Sequence, residues 1–352
     1  LPLISYIMAH YASKRFNYWG QTGILLTLCG AGLIVGGFAS LIPLIGKIDI
    51  AHVLHGGTGS TDVMDNILKP ENANALRWVQ FISTLFMFFL PPFFYAWICH
   101  KKAFTNLGFV HTVDSKQIVL VILIMLACTP LVAVLQQLTE MMPFSKATFL
   151  QFKAAEDEYN RQVAVIARMN NFADYIVSVV MIAFLPAVFE ETFFRGGVQN
   201  LLSRWIKAPI VAIIITSVIF SAVHGSYLGF LSRFALSFIL GWMYYRTGNI
   251  WLNIVGHFTN NFLGVTSLYI TSLSGAKADP SKLTDENFPL WVGLISLAAV
   301  CALFMAFDKA SKKDIFEPGE EVLLPDDYNN THNHSLTADI EITDSNNSTY
   351  IH

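Results

Sequence analysis

Three short stretches of this 352-residue chain hold side chains that could do chemistry together. The first reads AFLPAVFEETFFRGG and carries Glu190, Glu191 and Arg195. The second ends IFSAVHG with His224, and the third reads NIVGHFTNNF with His257, Asn260 and Asn261. A carboxylate, two imidazoles and an amide are what peptide-bond hydrolysis asks for: a base for the water and donors for the developing oxyanion. Glu191 and Arg195 are four residues apart and can pair on one helix face, whereas Glu190 is turned from that face by about 100° and is left free. A carboxyl group kept from bulk water suits a general base, and His224 could share and orient the water. His257 and Asn261, again four apart, could present two donors to one point. The same atoms permit a second arrangement, with Glu190, His224 and His257 as three ligands of a catalytic zinc and water in the open position. Residue types do not separate the two, because ligand and base draw on the same side chains.

Each stretch lies in an apolar run, so the elements that position it belong to a membrane. Hydrophobic residues make up 54% of the chain and charged residues 13%, about half the charge of an average soluble domain. That excludes an ordinary soluble enzyme, a disordered chain and a disulfide-rich secreted protein. A spanning helix needs about 20 apolar residues. Eight segments qualify: 22–46, 75–99, 117–139, 174–202, 208–224, 228–246, 250–272 and 287–307. The fold class expected is therefore an all-α polytopic membrane protein with eight transmembrane helices. The stretch 144–170 is too charged to span, and its helical apolar spacing predicts one amphipathic helix at the interface. The connection 47–74, with HGGTGSTD, reads as a polar loop.

Helix rise tests whether the three stretches can meet. Glu190 and His224 lie roughly 20 and 24 Å from the connection near 203–207, so the hairpin brings them to one level. His257 is only roughly 10 Å from the turn at 247–249, and tilt must make up the difference. Pro186, four before Glu190, removes a helix hydrogen bond near the site, and Gly196 and Gly197 permit close helix approach.

Charge separates the chain into two parts, 1–307 at +4 as the transmembrane domain and 308–352 at −7 as an acidic tail, solvated and disordered in expectation. Lys14, Arg15, Lys101, Lys102, Lys116, Arg204, Lys207, Arg246, Lys309, Lys312 and Lys313 fall on one side if the spans alternate, which predicts both termini in the cytoplasm. Cys29, Cys99, Cys128 and Cys301 sit in apolar segments without a CxxC pair, so no disulfide is expected. No signal peptide and no nucleic-acid partner are expected either.

The three stretches resemble, in order, the motifs of the CPBP family, the CAAX-protease and bacteriocin-processing intramembrane proteases. Glu190-Glu191-Thr192-Phe193-Phe194-Arg195 is similar to its EExxxR, Phe220 to His224 to its FxxxH, and His257 to Asn261 to its HxxxN. The resemblance covers about 174–262. It implies an endopeptidase in which Glu190 and His224 activate water, His257 and Asn261 stabilise the oxyanion, and Glu191 and Arg195 support the site. It implies a membrane-associated peptide or protein substrate, prenylated in the eukaryotic branch, with lipid around the enzyme. Both metal-dependent and metal-free glutamate mechanisms have been described for the family, so zinc stands as the alternative cofactor to none. The Asn-rich tail favours a bacterial cytoplasmic membrane.

Blander readings exist for each residue. A Glu–Arg pair in a span can simply tie helices, and a lone intramembrane His is most often a satisfied donor. Asn260 reads as packing or as support behind the site residues, and Asp174 and Arg233 as solvated or snorkelling. Two further functions would use the same residue types, a proton-coupled transporter and a non-catalytic scaffold or immunity factor. A transporter predicts polar residues in both halves, and a scaffold predicts a broken motif.

Overall fold

The computed structural model describes residues 13–14, 16–47, 60–110, 113–273, 288–311 and 322–323. All eight apolar segments are helical. In chain order the helices are α1 (Tyr18–Ala39), α2 (Ser60–Ile67), α3 (Pro70–Cys99), α4 (Ala103–Asn106), α5 (Ser115–Glu140), α6 (Lys146–Ile166), α7 (Phe172–Ile206), α8 (Pro209–Ala222), α9 (Phe230–Thr247), α10 (Ile250–Leu273) and α11 (Leu290–Ala310). Ser13–Lys14 pairs in parallel with Val322–Leu323, which brings the two ends of the described chain side by side. The acidic tail otherwise lies outside the described residues, as do residues 1–12 and the HGGTGS stretch up to Gly59.

The chain is an all-α, multi-pass membrane protein. Among the described residues five helices are long and apolar enough to cross: α1 extended to Leu44, α3, α5, α7 and α11. The other three, α8, α9 and α10, differ from the expectation of eight full spans for a physical reason. α8 has 14 residues, roughly 21 Å of rise against a hydrocarbon core of about 30 Å. α9 and α10 carry the polar residues of the candidate site. The polar connection 47–74 likewise holds a helix, α2, whose last carbonyls, Asn66 and Ile67, accept from the Asn72 amide at 2.9 and 3.3 Å.

Prolines shape the long helices. A proline gives its helix no N–H, and both α3 and α7 loosen to π turns just ahead of one. Leu85–Phe89 precedes Pro91 and Pro92, and the Leu90 N–H reaches Leu85 O. Val179–Phe184 precedes Pro186, and the Leu185 N–H reaches Val180 O. In α5, Pro130 is handled differently. Ser296 of α11 accepts from the Leu131 N–H at 3.1 Å and donates to Ala127 O, which satisfies backbone that lipid could not. Close approach helps here, since a Cβ on Gly293 would stand 2.8 Å from Val134 Cγ1.

The core beneath the site gathers Val121, Ile124, Met125 and Cys128 of α5, Leu240 and Met243 of α9, Leu252 of α10, and Val300 and Phe307 of α11. Arg204, read from sequence as a loop charge, is buried in the last turn of α7. Its Nε donates to Asn200 Oδ1 at 2.7 Å and its Nη2 to Tyr95 Oη at 3.1 Å, so the cation is tied into α3 and α7. The amphipathic helix α6 is anchored too. Arg77 of α3 donates to Ile166 O at 2.9 Å and to Arg168 O, taking up carbonyls that the helix end leaves free.

Candidate active site

α7 presents Glu190 and Glu191 at the end of its α-helical stretch Leu185–Glu191, and the π turn Thr192–Gln199 begins at the next residue. π turns of this kind are frequent at functional sites. Glu191 is fully buried, and one oxygen serves two partners. Its Oε1 accepts from Arg195 Nη1 at 2.8 Å and meets His257 Nδ1 at 2.7 Å. Arg195, also fully buried, turns Nη2 to Ser237 of α9, at 2.9 Å from its carbonyl and 3.0 Å from its hydroxyl. Three helices are thus joined through one guanidinium and one carboxylate.

His257 is oriented by that bond. A carboxylate only accepts, so Nδ1 carries the hydrogen and Nε2 points away from Glu191. Nε2 lies 3.9 Å from Glu190 Oε2, an oxygen that is buried and has no hydrogen-bond partner among the described residues. His224 stands beyond the end of α8 rather than inside a span, because α8 stops at Ala222 and Gly225 takes φ +66°. Its Nδ1 lies 2.7 Å from Phe220 O, one of the carbonyls that the helix end leaves open. A carbonyl also only accepts, so Nδ1 donates and the Nε2 lone pair is free.

His224, His257, Asn260 and Asn261 line one cavity of about 150 Å³ with Phe220, Tyr159, Arg233, Met125, Leu236 and Leu240. The turn between α8 and α9 is irregular backbone, and it carries His224 into this cavity. Behind the carboxylates stands an aromatic wall of Phe88, Phe189, Phe194 and Phe220, which keeps the pair dry. The Phe220 ring sits 4.9 Å from His224, 5.9 Å from His257 and 5.2 Å from the Arg195 guanidinium carbon, touching all three.

The expected pairing of Glu191 with Arg195 is present, and His257 and Asn261 do line the same cavity. Glu190 and His224 make no ion pair with each other. Among the described residues no three His, Cys, Asp or Glu side chains converge as a metal would need. Glu190, His224 and His257, the ligands of the zinc alternative, are not gathered into such a group.

Sequence reasoning missed the contribution of α6 and of α9. Tyr159 of α6 lines the cavity, and Phe152 stacks on Tyr227 at 4.6 Å. Glu156, buried, accepts from the Ser226 hydroxyl. The signal was available, because Glu156 interrupts the helical stripe Phe149, Phe152, Tyr159, Val163 that faces inward. The amphipathic helix therefore packs on the site's turn, where the sequence pattern alone placed it at the lipid interface. Ser237 and Arg233 of α9 gave no spacing signal.

Residues 172–263 match the family model described as type II CAAX prenyl endopeptidase Rce1-like. That interval holds Glu190, Glu191, Arg195, His224, His257 and Asn261. An uncharacterized protein of Bacillus subtilis strain 168, YpbD, is 34% identical over 87 residues. The aligned part is 24% of this chain and 41% of the relative, so the chain spans less than half of the curated relative it matches. No solved structure matches the chain.

Proposed function

We propose that the likeness of residues 172–263 to type II CAAX prenyl endopeptidases extends to their chemistry, and that the chain is an intramembrane endopeptidase. Its substrate is a membrane-associated protein or peptide, prenylated in the CAAX manner. The observation that carries this reading is Glu190, a buried carboxylate that makes no hydrogen bond among the described residues and lies behind the cavity, its Oε2 3.9 Å from Nε2 of the cavity-lining His257. Glu191 is held through Oε1 by Arg195 and His257, as a structural carboxylate is; Glu190 has no such bond, which leaves it to water.

Water is held between Glu190 and the free Nε2 of His224 in this mechanism. Glu190 takes its proton as the oxygen attacks the scissile carbonyl carbon. The carbonyl oxygen becomes an oxyanion that accepts from His257 Nε2–H and the Asn261 amide. When the tetrahedral intermediate collapses, the C–N bond breaks and Glu190 returns the proton to the leaving nitrogen. His257 carries hydrogens on both ring nitrogens in this scheme, and Glu190 loses its negative charge as the oxyanion gains one, so the step leaves the net charge of the site unchanged. A dry site with no net change of charge needs little reorganisation. No step passes through a metal.

With both described ends side by side and the Lys and Arg pattern above, we place both ends in the cytoplasm and the enzyme in a bacterial cytoplasmic membrane. The deciding experiment uses protein purified in detergent and returned to liposomes. The probe is a fluorescent peptide carrying a farnesylated Cys followed by three aliphatic residues, together with a membrane-tethered peptide library. Wild type cleaves, Glu190→Gln is folded and silent, and a strong chelator leaves wild type unchanged. Turnover in Glu190→Gln refutes the base, and chelator-sensitive cleavage refutes the metal-free route.

A further inference from the structure

The mechanism leaves one charged group of the cavity without a task. Arg233 lines it beside both histidines, yet no carboxylate lies within ion-pairing distance of its guanidinium among the described residues. The side chain is held in place rather than loose. Nη1 donates to Ser226 Oγ at 2.6 Å, the guanidinium carbon sits 5.1 Å over the Tyr159 ring, and Gly229 makes room, since a Cβ there would meet Nη1 at 2.3 Å. Nε and Nη2 make no hydrogen bond among the described residues, which leaves two nitrogens of the fork open. Arg233 also stands in the first turn of α9, where the helix dipole disfavours a cation. It does not stabilise its own helix there, and it turns into the cavity instead of snorkelling outward.

We propose that Arg233 is a specificity-determining residue that binds a carboxylate of the substrate, beside the bond cleaved by the water that Glu190 and His224 activate. This rests on the endopeptidase reading above and adds a requirement to it: the polypeptide must bring an anion into the cavity. The planar fork suits a carboxylate held by two parallel N–H bonds. That carboxylate is either the chain's C-terminus or an Asp or Glu side chain close to the cleaved bond. Glu156 reaches Arg233 only through the Ser226 hydroxyl, so the substrate does not have to displace a direct ion pair.

The test compares three forms of the farnesylated probe: free C-terminal carboxylate, C-terminal amide, and amide with Asp as the last residue. For wild type in liposomes, amidation lowers kcat/KM by roughly 10–100-fold, mainly through KM, the value of one charge-assisted bond. Recovery in the Asp form identifies a side-chain carboxylate as sufficient; no recovery identifies the chain terminus. Arg233→Gln loses the difference between carboxylate and amide by failing on the carboxylate form alone, and Arg233→Lys restores part of it. Ser226→Ala, which cuts the link to Glu156 but keeps the charge, retains the preference. Equal losses on both forms in Arg233→Gln overturn the proposal, because a merely structural residue does not sense the substrate's end group. So does a wild type indifferent to amidation. Binding of the same probes to Glu190→Gln, read by fluorescence anisotropy with and without Arg233→Gln, measures the site without chemistry. If wild type cleaves nothing while this preference persists, the endopeptidase reading fails and the anion site stands; equal binding overturns the anion site.

Discussion

Replacing Glu191 and Arg195 singly and together separates what the buried pair does for the fold from what it does for His257. Both side chains are fully buried and joined at 2.8 Å. Glu191→Leu leaves a buried guanidinium with only the Ser237 acceptors, and Arg195→Met leaves a buried carboxylate with only His257; breaking a buried pair from either side costs about 3–5 kcal/mol. If the two acted independently the double variant would lose about 6–10 kcal/mol. Coupled through one bond, it loses far less. Apolar replacement of a whole buried pair is often neutral, which leaves about 1–3 kcal/mol for the unsatisfied His257 Nδ1–H. The coupling energy is then at least about 3 kcal/mol. Activity should not follow stability. The refolded double variant no longer holds the imidazole that sits 2.7 Å from Glu191, and loss of one oxyanion donor lowers kcat by about 10²–10³. Unfolding in mixed micelles supplies the stability cycle, and turnover of the farnesylated probe supplies the activity. Additive costs would refute the pairing argument. Full activity in the double variant would refute the claim that Glu191 orients His257.

Other consequences are narrower. His257→Ala and Asn261→Ala should each lower kcat by about 10²–10³ with KM little changed, because their donors meet the oxyanion and not the ground state; a pure KM effect argues against that role. Ser296→Ala should destabilise by about 1–3 kcal/mol without touching chemistry, since it strands the Leu131 N–H and the Ala127 carbonyl around Pro130. An unchanged melting temperature alongside unchanged turnover would mean that lipid-exposed backbone around Pro130 tolerates the loss.

Much of this architecture was legible in the residues. Apolar runs located the eight apolar helices to within a few positions, because the bilayer leaves the chain little choice of structure, but gave no sign of α2 or α4. The four-residue spacing of Glu191 and Arg195 found a real pair, since that contact is local to one helix. What stayed hidden was tertiary. Nothing in the spacing ties Glu191 to His257, 66 residues away, or Arg195 to Ser237, 42 residues away. α8 was read two residues too long because Val223 is apolar, so His224 was assigned to a span when it is the turn residue that caps α8. Charge misled in one place. Arg204 counts toward a topology rule when it is exposed, but here it belongs to a buried network with Asn200 and Tyr95.

The π turns on either side of the carboxylate pair carry a consequence for how such chains vary. A π turn is an α-helix that has accepted one surplus residue. In α7 the segments Val179–Phe184 and Thr192–Gln199 therefore act as expansion joints, with Glu190 and Glu191 on the rigid piece between them. Deleting a single residue from the first joint would tighten it to ordinary helix and rotate Phe172–Ser178, while the carboxylates kept their place against α10. One-residue gaps between homologous chains should collect at these two joints. Gaps inside Leu185–Glu191 should be lethal to the site.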